Sequence, residues 1–176
     1  ISMVQDQNGF MWIGTSTGLN RYDGHDFKVY KTKNTDPYSL ADNFVIDLYL
    51  TESNKLYIGT NAGLSFYDPT FDRFVNLNRD SSSCFFNRSI QVRKITGDHN
   101  TNLYLATNIG LIIYNEKHNN YEVLAHDTIN PDNKNNLIVE DVMFDSSGKL
   151  WVTSKQGLRF FDPETIKPDF KNVDAQ

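Results

Sequence analysis

At 176 residues, 39% hydrophobic and 13% aromatic, the chain can bury one well-formed core, which excludes a disordered or fibrous polymer. Seventeen Lys and Arg against 22 Asp and Glu leave a net charge of −5. No general attraction to nucleic acid or to an anionic membrane surface follows from that balance, so partners must be recognised locally. No apolar run approaches the roughly 20 residues of a spanning helix, and the stretch Leu111 to Tyr114 is broken within a few positions. A membrane connection would therefore come only through segments outside this sequence. The chain opens on Ile1 with no basic-then-apolar leader, which reads as an excised piece or a processed product. The single cysteine, Cys84, has no companion for a disulfide or a zinc site. It is expected to pack as a small apolar residue, and the redox compartment stays open.

Along the chain the dominant signal is self-similarity. WIGTSTGLNRYD from Trp12 returns as YIGTNAGLSFYD from Tyr57, YLATNIGLIIYN from Tyr104 and WVTSKQGLRFFD from Trp151, at spacings of 45, 47 and 47 residues. Gly18, Gly63, Gly110 and Gly157 keep the same register, as do Tyr22, Tyr67, Tyr114 and Phe161.

Each repeat reads as four short strands. Strand A carries alternating apolar residues: Ile1 and Met3; Ile46, Leu48 and Leu50; Val92 and Ile95; Val142 and Phe144. Polar turns follow at Asp6 to Gly9, Glu52 to Lys55, Asp98 to Asn102 and Asp145 to Lys149, with Asn-Gly and Ser-Gly pairs that favour tight hairpins. Strand B is the Trp- or Tyr-centred run, and the turn with the repeated glycine leads into strand C. Asp23-Gly24, Asp68-Pro69 and Asp162-Pro163 then turn the chain. Strand D is expected around Phe27 to Tyr30, Phe74 to Leu77, Tyr121 to Leu124 and Phe170 to Val173.

Strands B and C are apolar on both faces, as in GLIIY and GLRFF, so each sheet needs cover on both sides. Face-to-face stacking of four-stranded units of this length is the construction of an all-β propeller. Four blades are expected, over about residues 1–30, 44–77, 91–124 and 138–173, with essentially no helix. A β-sandwich does not repeat at this period, and no sustained 3.6-residue pattern supports helical repeats. Gly14, Gly59 and Ala106, followed by the larger Thr153, stand two residues after the strand-B aromatic, where small side chains would let neighbouring backbones approach.

WIGTSTGLNRYDG, LYIGTNAGLSFYD and LWVTSKQGLRFFD resemble the two-component-regulator propeller repeats of the periplasmic sensor portion of Bacteroides-type hybrid two-component systems. VQDQNGFMWIGTSTGLNRYDGHDFKVYK resembles the first blade of the first of two such propellers, and PYSLADNFV the usual bridge into the second blade. The third repeat departs with LATNIG and Asn115, the fourth with Val-Thr-Ser. The resemblance implies rings of about seven blades in a periplasmic sensor of glycan-derived oligosaccharides. Its signal would pass through a membrane helix to histidine-kinase, receiver and DNA-binding modules that lie outside this chain.

Other constellations carry less. His25, His99, His118 and His126 fall in turns or near strand ends without metal-ligand spacing. Asp6-Gln-Asn-Gly9 and Asp145-Ser-Ser-Gly148 faintly resemble calcium loops but supply too few oxygens, and hairpin turns explain them better. No P-loop, GxGxxG or GxSxG string exists, so neither a cofactor nor a metal is expected. Asn87-Arg-Ser89 is a glycosylation sequon only in a secreted eukaryotic protein.

The connections over residues 31–43, 78–90 and 125–137 are polar and variable, and they hold Tyr38, Phe85 and Phe86 outside the repeat register. Long loops on a rigid scaffold are where binding usually resides, although plain solvated connectors are the alternative. The D-to-A connections and B-to-C turns should open on one propeller face. The candidate ligand or docking residues there are Tyr38, Asp42, Asn43, Asn61, Asn87, Arg88, Asn108, Asn136 and Lys155, since amides, an Arg and an aromatic suit sugar hydroxyls and ring faces.

Three functional readings compete. The first is a non-catalytic sensor module with an oligosaccharide ligand or a docked second sensor domain. The second is a propeller lyase or glycosidase, for which strand A offers Asp47, Glu140 and Asp141 without a histidine. The third is an assembly scaffold. Four blades of a seven-blade ring would leave two apolar faces open. The expected partners are therefore the remaining blades and second propeller of a longer protein, or a second copy as a homodimer.

Overall fold

The computed structural model describes residues 2–77, 90–98, 100–124, 138–155, 157–163 and 171–172. Among them the chain is all strand, without helix. The strands, in order, are β1 (Met3–Gln5), β2 (Met11–Thr15), β3 (Gly18–Tyr22) and β4 (Phe27–Tyr30); β5 (Val45–Leu50), β6 (Leu56–Thr60), β7 (Gly63–Asp68) and β8 (Arg73–Asn76); β9 (Val92–Gly97), β10 (Asn102–Thr107), β11 (Gly110–Asn115) and β12 (Asn120–Leu124); and β13 (Val139–Phe144), β14 (Leu150–Ser154), β15 (Gly157–Phe161) and β16 (Lys171–Asn172). The first four, the second four and the third four each form an antiparallel meander in sequence order, and β13–β14–β15 continue the pattern. The fold is a β-propeller, with four of its blades present. Two compact units, residues 1–92 and 93–176, hold two blades each.

The four repeated glycines stand at the close of the B-to-C turn, as the first residue of β3, β7, β11 and β15. All four have φ between +108° and +141°, backbone that L side chains rarely adopt. The last residue of strand B locks each turn: the hydroxyls of Thr15, Thr60, Thr107 and Ser154 donate to the carbonyls of Gly18, Gly63, Gly110 and Gly157. Strand A's hairpin has its own device. Asp6 accepts from the amides of Asn8 and Phe10 and from the Trp12 indole. Asp145 repeats that set with Ser147, Lys149 and Trp151, and Asp98 accepts the equivalent amides of Asn100 and Asn102. These carboxylates are hairpin caps.

Blades meet through the predicted small residue. A Cβ on Gly14 of β2 would lie 2.5 Å from Cγ1 of Val45 on β5, so only glycine allows this approach of blades 1 and 2. Around it unit 1 buries Trp12, Leu19, Tyr30, Leu40, Val45, Leu48, Leu56, Ile58, Tyr67 and Phe74. In unit 2, Tyr104, Ala106, Leu111 and Ile113 of blade 3 are buried together with Val139, Val142, Leu150 and Val152 of blade 4.

The structure departs from the sequence reading in four places. Strand A of blade 2 does not alternate through Ile46: an irregularity between Val45 and Asp47 buries Val45, Asp47 and Leu48. Blade 4 has the equivalent shift between Val139 and Asp141. The first connector is partly core, because Leu40 is fully buried and Ser39 nearly so. The Asn76 amide donates to the carbonyls of Pro37 and Ser39, tying the connector to β8.

The third departure is the strand expected over 170–173 as the outer edge of blade 4. Its described part, Lys171–Asn172, pairs instead with Tyr121 and Asn120 on the edge of blade 3. Loops of four residues join strands C and D in the first three blades, whereas nine residues with prolines at 163 and 168 separate β15 from β16. That connection is too long for the same hairpin, and its prolines lack ladder donors. Finally, GLRFF is covered on one face only: Leu158 and Phe160 of β15, with Met143 of β13, are exposed.

Candidate functional site

The residues nominated on the connector face divide into four groups. Asp42, Asn43 and Asn61 come together at the entry to β5, where they build the turn. The Asp42 carboxylate accepts from the Phe44 amide, the Asn43 side chain from the Thr32 amide, and the Asn61 side chain from the Gln91 amide group. Tyr38 lies apart on the strand-D edge, half exposed, with the Arg73 guanidinium 4.3 Å over its ring. It borders a shallow cleft of about 250 Å³ shared with Lys28, Asp36 and Asp72. Asn108 is half-buried in the blade 3 turn and Lys155 is exposed in the blade 4 turn. Asn87, Arg88 and Asn136 lie outside the described residues, as do Cys84, Phe85, Phe86, His99 and His126.

The larger clefts open on the other rim, between A-to-B hairpins and C-to-D turns. In unit 1 a cleft of about 370 Å³ is lined by Asp6, Asn8, Phe10, Trp12, Arg21, Ser53, Asn54, Lys55 and Tyr67. In unit 2 the register-equivalent cleft, about 750 Å³, is lined by Asp98, Asn100, Asn102, Tyr104, Phe144, Asp145, Ser146 and Asp162. The two differ in charge. The first holds Arg21 and Lys55; the second holds three aspartates and no cation.

Arg21 anchors a network that joins blades 1 and 2. Its Nη1 donates to the Tyr67 hydroxyl at 3.1 Å, and its guanidinium stands 4.6 Å from the Phe10 ring centroid and 5.7 Å from that of Trp12. The hydroxyls of Tyr67 and Tyr30 both donate to Asp72 Oδ1, at 2.6 and 2.7 Å, and Lys28 pairs with the other carboxylate oxygen. Burial pushes the Asp72 carboxyl up, but the bonds from Lys28, Tyr67 and Tyr30 outweigh it and hold its pKa at about 2. Both phenols are raised, first by burial and then by Asp72.

A lowered carboxyl pKa contributes stability that is complete above its unfolded value and is lost as pH falls through the folded one. Unit 1 is therefore expected to lose stability between about pH 4 and pH 2. Asp72→Asn should flatten that part of the acid unfolding curve, measured by circular dichroism against pH. An unchanged acid limb in the variant would refute the link.

In unit 2, burial and then the Asp98 charge push Tyr104 up to about 12, so it is a neutral hydroxyl. The Ser147 hydroxyl, the Trp151 indole and the Lys149 amide hold Asp145 well below the usual carboxylate range. Of the strand-A carboxylates weighed for catalysis, Asp47 is 4% exposed, Glu140 pairs with Arg93, and Asp141 accepts its neighbour's amide from Val142. Among the described residues no group of three or more His, Cys, Asp or Glu could hold a metal.

The network is a feature that the sequence reading missed. Its signal was present: where Arg21 stands, the other repeats carry Phe66, Ile113 and Phe160. A cation at an apolar repeat position marks the one blade that departs.

The family described as two component regulator propeller matches residues 1–17. That stretch contains the start of the first WIGTSTGL string, whose register the three later blades share. Over those 17 residues the opening repeat is similar to the two-component-regulator propeller family. Over 41 residues, 23% of this chain and 3% of the relative, the chain is 44% identical to histidine kinase P4 of Formosa agariphila.

In fold, these repeats are similar to the extracellular domain of a hybrid two-component system of B. thetaiotaomicron. The TM-score is 0.74 at 19% identity, covering 97% of this chain and 21% of that one. They are also similar to virginiamycin B lyase from Staphylococcus aureus, with a TM-score of 0.65 at 11% identity, covering 99% of this chain and 56% of the lyase. The chain thus spans about a fifth of the extracellular domain it matches. The fold is shared by the extracellular domain of a two-component system and an enzyme, so function must be argued from the site.

Proposed function

We propose that this chain is a non-catalytic, periplasmic recognition part of a two-component sensor, and that its repeats bind a glycan-derived oligosaccharide whose occupancy is relayed to transcription. The observation that carries the sensor reading is the match of the opening repeat to two-component-regulator propellers, repeated in register through four blades. An extracytoplasmic location is supported by the extracellular domains that share the fold.

The saccharide reading is supported by both rim clefts. Each pairs a partly exposed aromatic ring with short polar side chains: Phe10 with Asn8, Ser53 and Asn54, and Phe144 with Asn100, Asn102 and Ser146. Rings supply apolar platforms for sugar faces, and amides and hydroxyls supply directional hydrogen bonds. We assign the connector side of unit 1, with Tyr38, to docking of a second sensor domain, since Asp42, Asn43 and Asn61 are already engaged in turns. The exposed apolar side chains of blade 1 (Met3, Phe27, Val29) and blade 4 (Met143, Leu158, Phe160) suit cover by further blades or a second copy.

The experiment is an array of defined neutral and acidic oligosaccharides probed with the purified chain. Retention on at least one saccharide class is expected. A blank array would overturn the saccharide reading.

A further inference from the structure

Arg21 is more cation than its neighbours need. Asp72, 3.9 Å from its Nη1, is already shared by Lys28 and by the hydroxyls of Tyr30 and Tyr67. Asp6, the one carboxylate lining the cleft, is engaged by two turn amides and the Trp12 indole. Of the Arg21 donors only Nη1 is bonded within the described residues, to the Tyr67 hydroxyl. The Arg21 side chain is about a quarter exposed, and its guanidinium is backed by the Phe10 and Trp12 rings. A planar fork held by aromatic rings in a half-enclosed cleft is pre-organised for a carboxylate. Lys55 adds a second positive charge to the lining. The cleft volume falls within the range of small-ligand sites. The unit 2 cleft provides an internal contrast, because Ile113 stands where Arg21 does and its lining is acidic.

We propose that the cleft between blades 1 and 2 is a binding site for a carboxylate-bearing sugar unit. Arg21 takes the carboxylate, and Asn8, Ser53 and Asn54 take the hydroxyls. The inference rests on the saccharide reading above and adds the charge class of the ligand and its position.

The test is isothermal titration of the whole chain with trigalacturonate and with its fully methyl-esterified form, which keeps the sugar skeleton and removes the charge. Trigalacturonate should bind, and affinity should fall about tenfold or more on esterification, as for loss of one charged hydrogen-bonded pair. Arg21→Gln should cost the acidic ligand a similar factor, with partial rescue in Arg21→Lys. Because Arg21 also joins two blades, Asn8→Asp serves as the second variant. It changes an exposed turn residue at the cleft and places a negative charge there, so it should weaken the acid by a several-fold larger factor than the ester.

Equal binding of acid and ester, insensitive to these variants, would overturn the inference while the saccharide reading stood. No binding of either would also overturn it. In that case retention of other saccharides on the array would keep the broader reading, and a blank array would remove both.

Discussion

Trp12→Ala is expected to cost the fold about 3–5 kcal/mol, the range for removing a large buried aromatic side chain. Trp12 is 1% exposed in the unit 1 core, 4.8 Å from the Tyr67 ring and 5.8 Å from that of Tyr30. Its indole donates to Asp6 at 2.8 Å, so truncation both opens a cavity and strips a hydrogen bond from the hairpin cap. Trp151 provides the comparison. It occupies the same repeat position and makes the same bond, to Asp145, but it is only half-buried beside exposed Phe160. Trp151→Ala should therefore cost much less. Denaturant unfolding followed by far-ultraviolet circular dichroism measures both, and equal losses would mean that Trp12 is not the core residue described.

The second large effect is expected at Gly18. Its φ is +141°, and a Cβ there would lie 2.6 Å from the backbone carbonyl oxygen of Tyr30, an atom that cannot swing aside. Gly18→Ala thus adds a steric clash to backbone strain of about 1–3 kcal/mol. Gly24, at φ +100° with nothing within 4 Å of the added carbon, isolates the strain alone. The loss in Gly18→Ala should exceed that in Gly24→Ala in the same unfolding measurement. Equal losses would show that the close approach of the turn to β4 carries no cost.

The blade architecture was legible because it is written four times. The strand-B aromatic, the small residue two positions on and the turn glycine each return in register, and each has a local physical reason: burial, close approach and positive φ. What the register could not carry is what differs between copies. The shifts at Val45/Asp47 and Val139/Asp141 leave no compositional mark, so Ile46 looked like the inward residue. The pairing of Lys171 and Asn172 with blade 3 depends on a free sheet edge elsewhere in the fold, which residues 170–173 do not encode.

The site was harder still. Asp42, Asn43 and Asn61 were chosen for chemistry suited to sugars, yet the same oxygens suit turn amides, and the turns use them. Exposure of a polar type cannot be told from its engagement without coordinates. Arg21 could have been found by asking where a repeat breaks its own apolar pattern.

Recognition without turnover is tested most directly by native mass spectrometry of the chain mixed with a defined oligosaccharide library. The expected result is a complex whose mass is that of the chain plus an intact oligosaccharide, with the free pool unchanged after long incubation. Shortened or unsaturated sugars accumulating in that pool would contradict it and return the chain to the lyase or glycosidase reading.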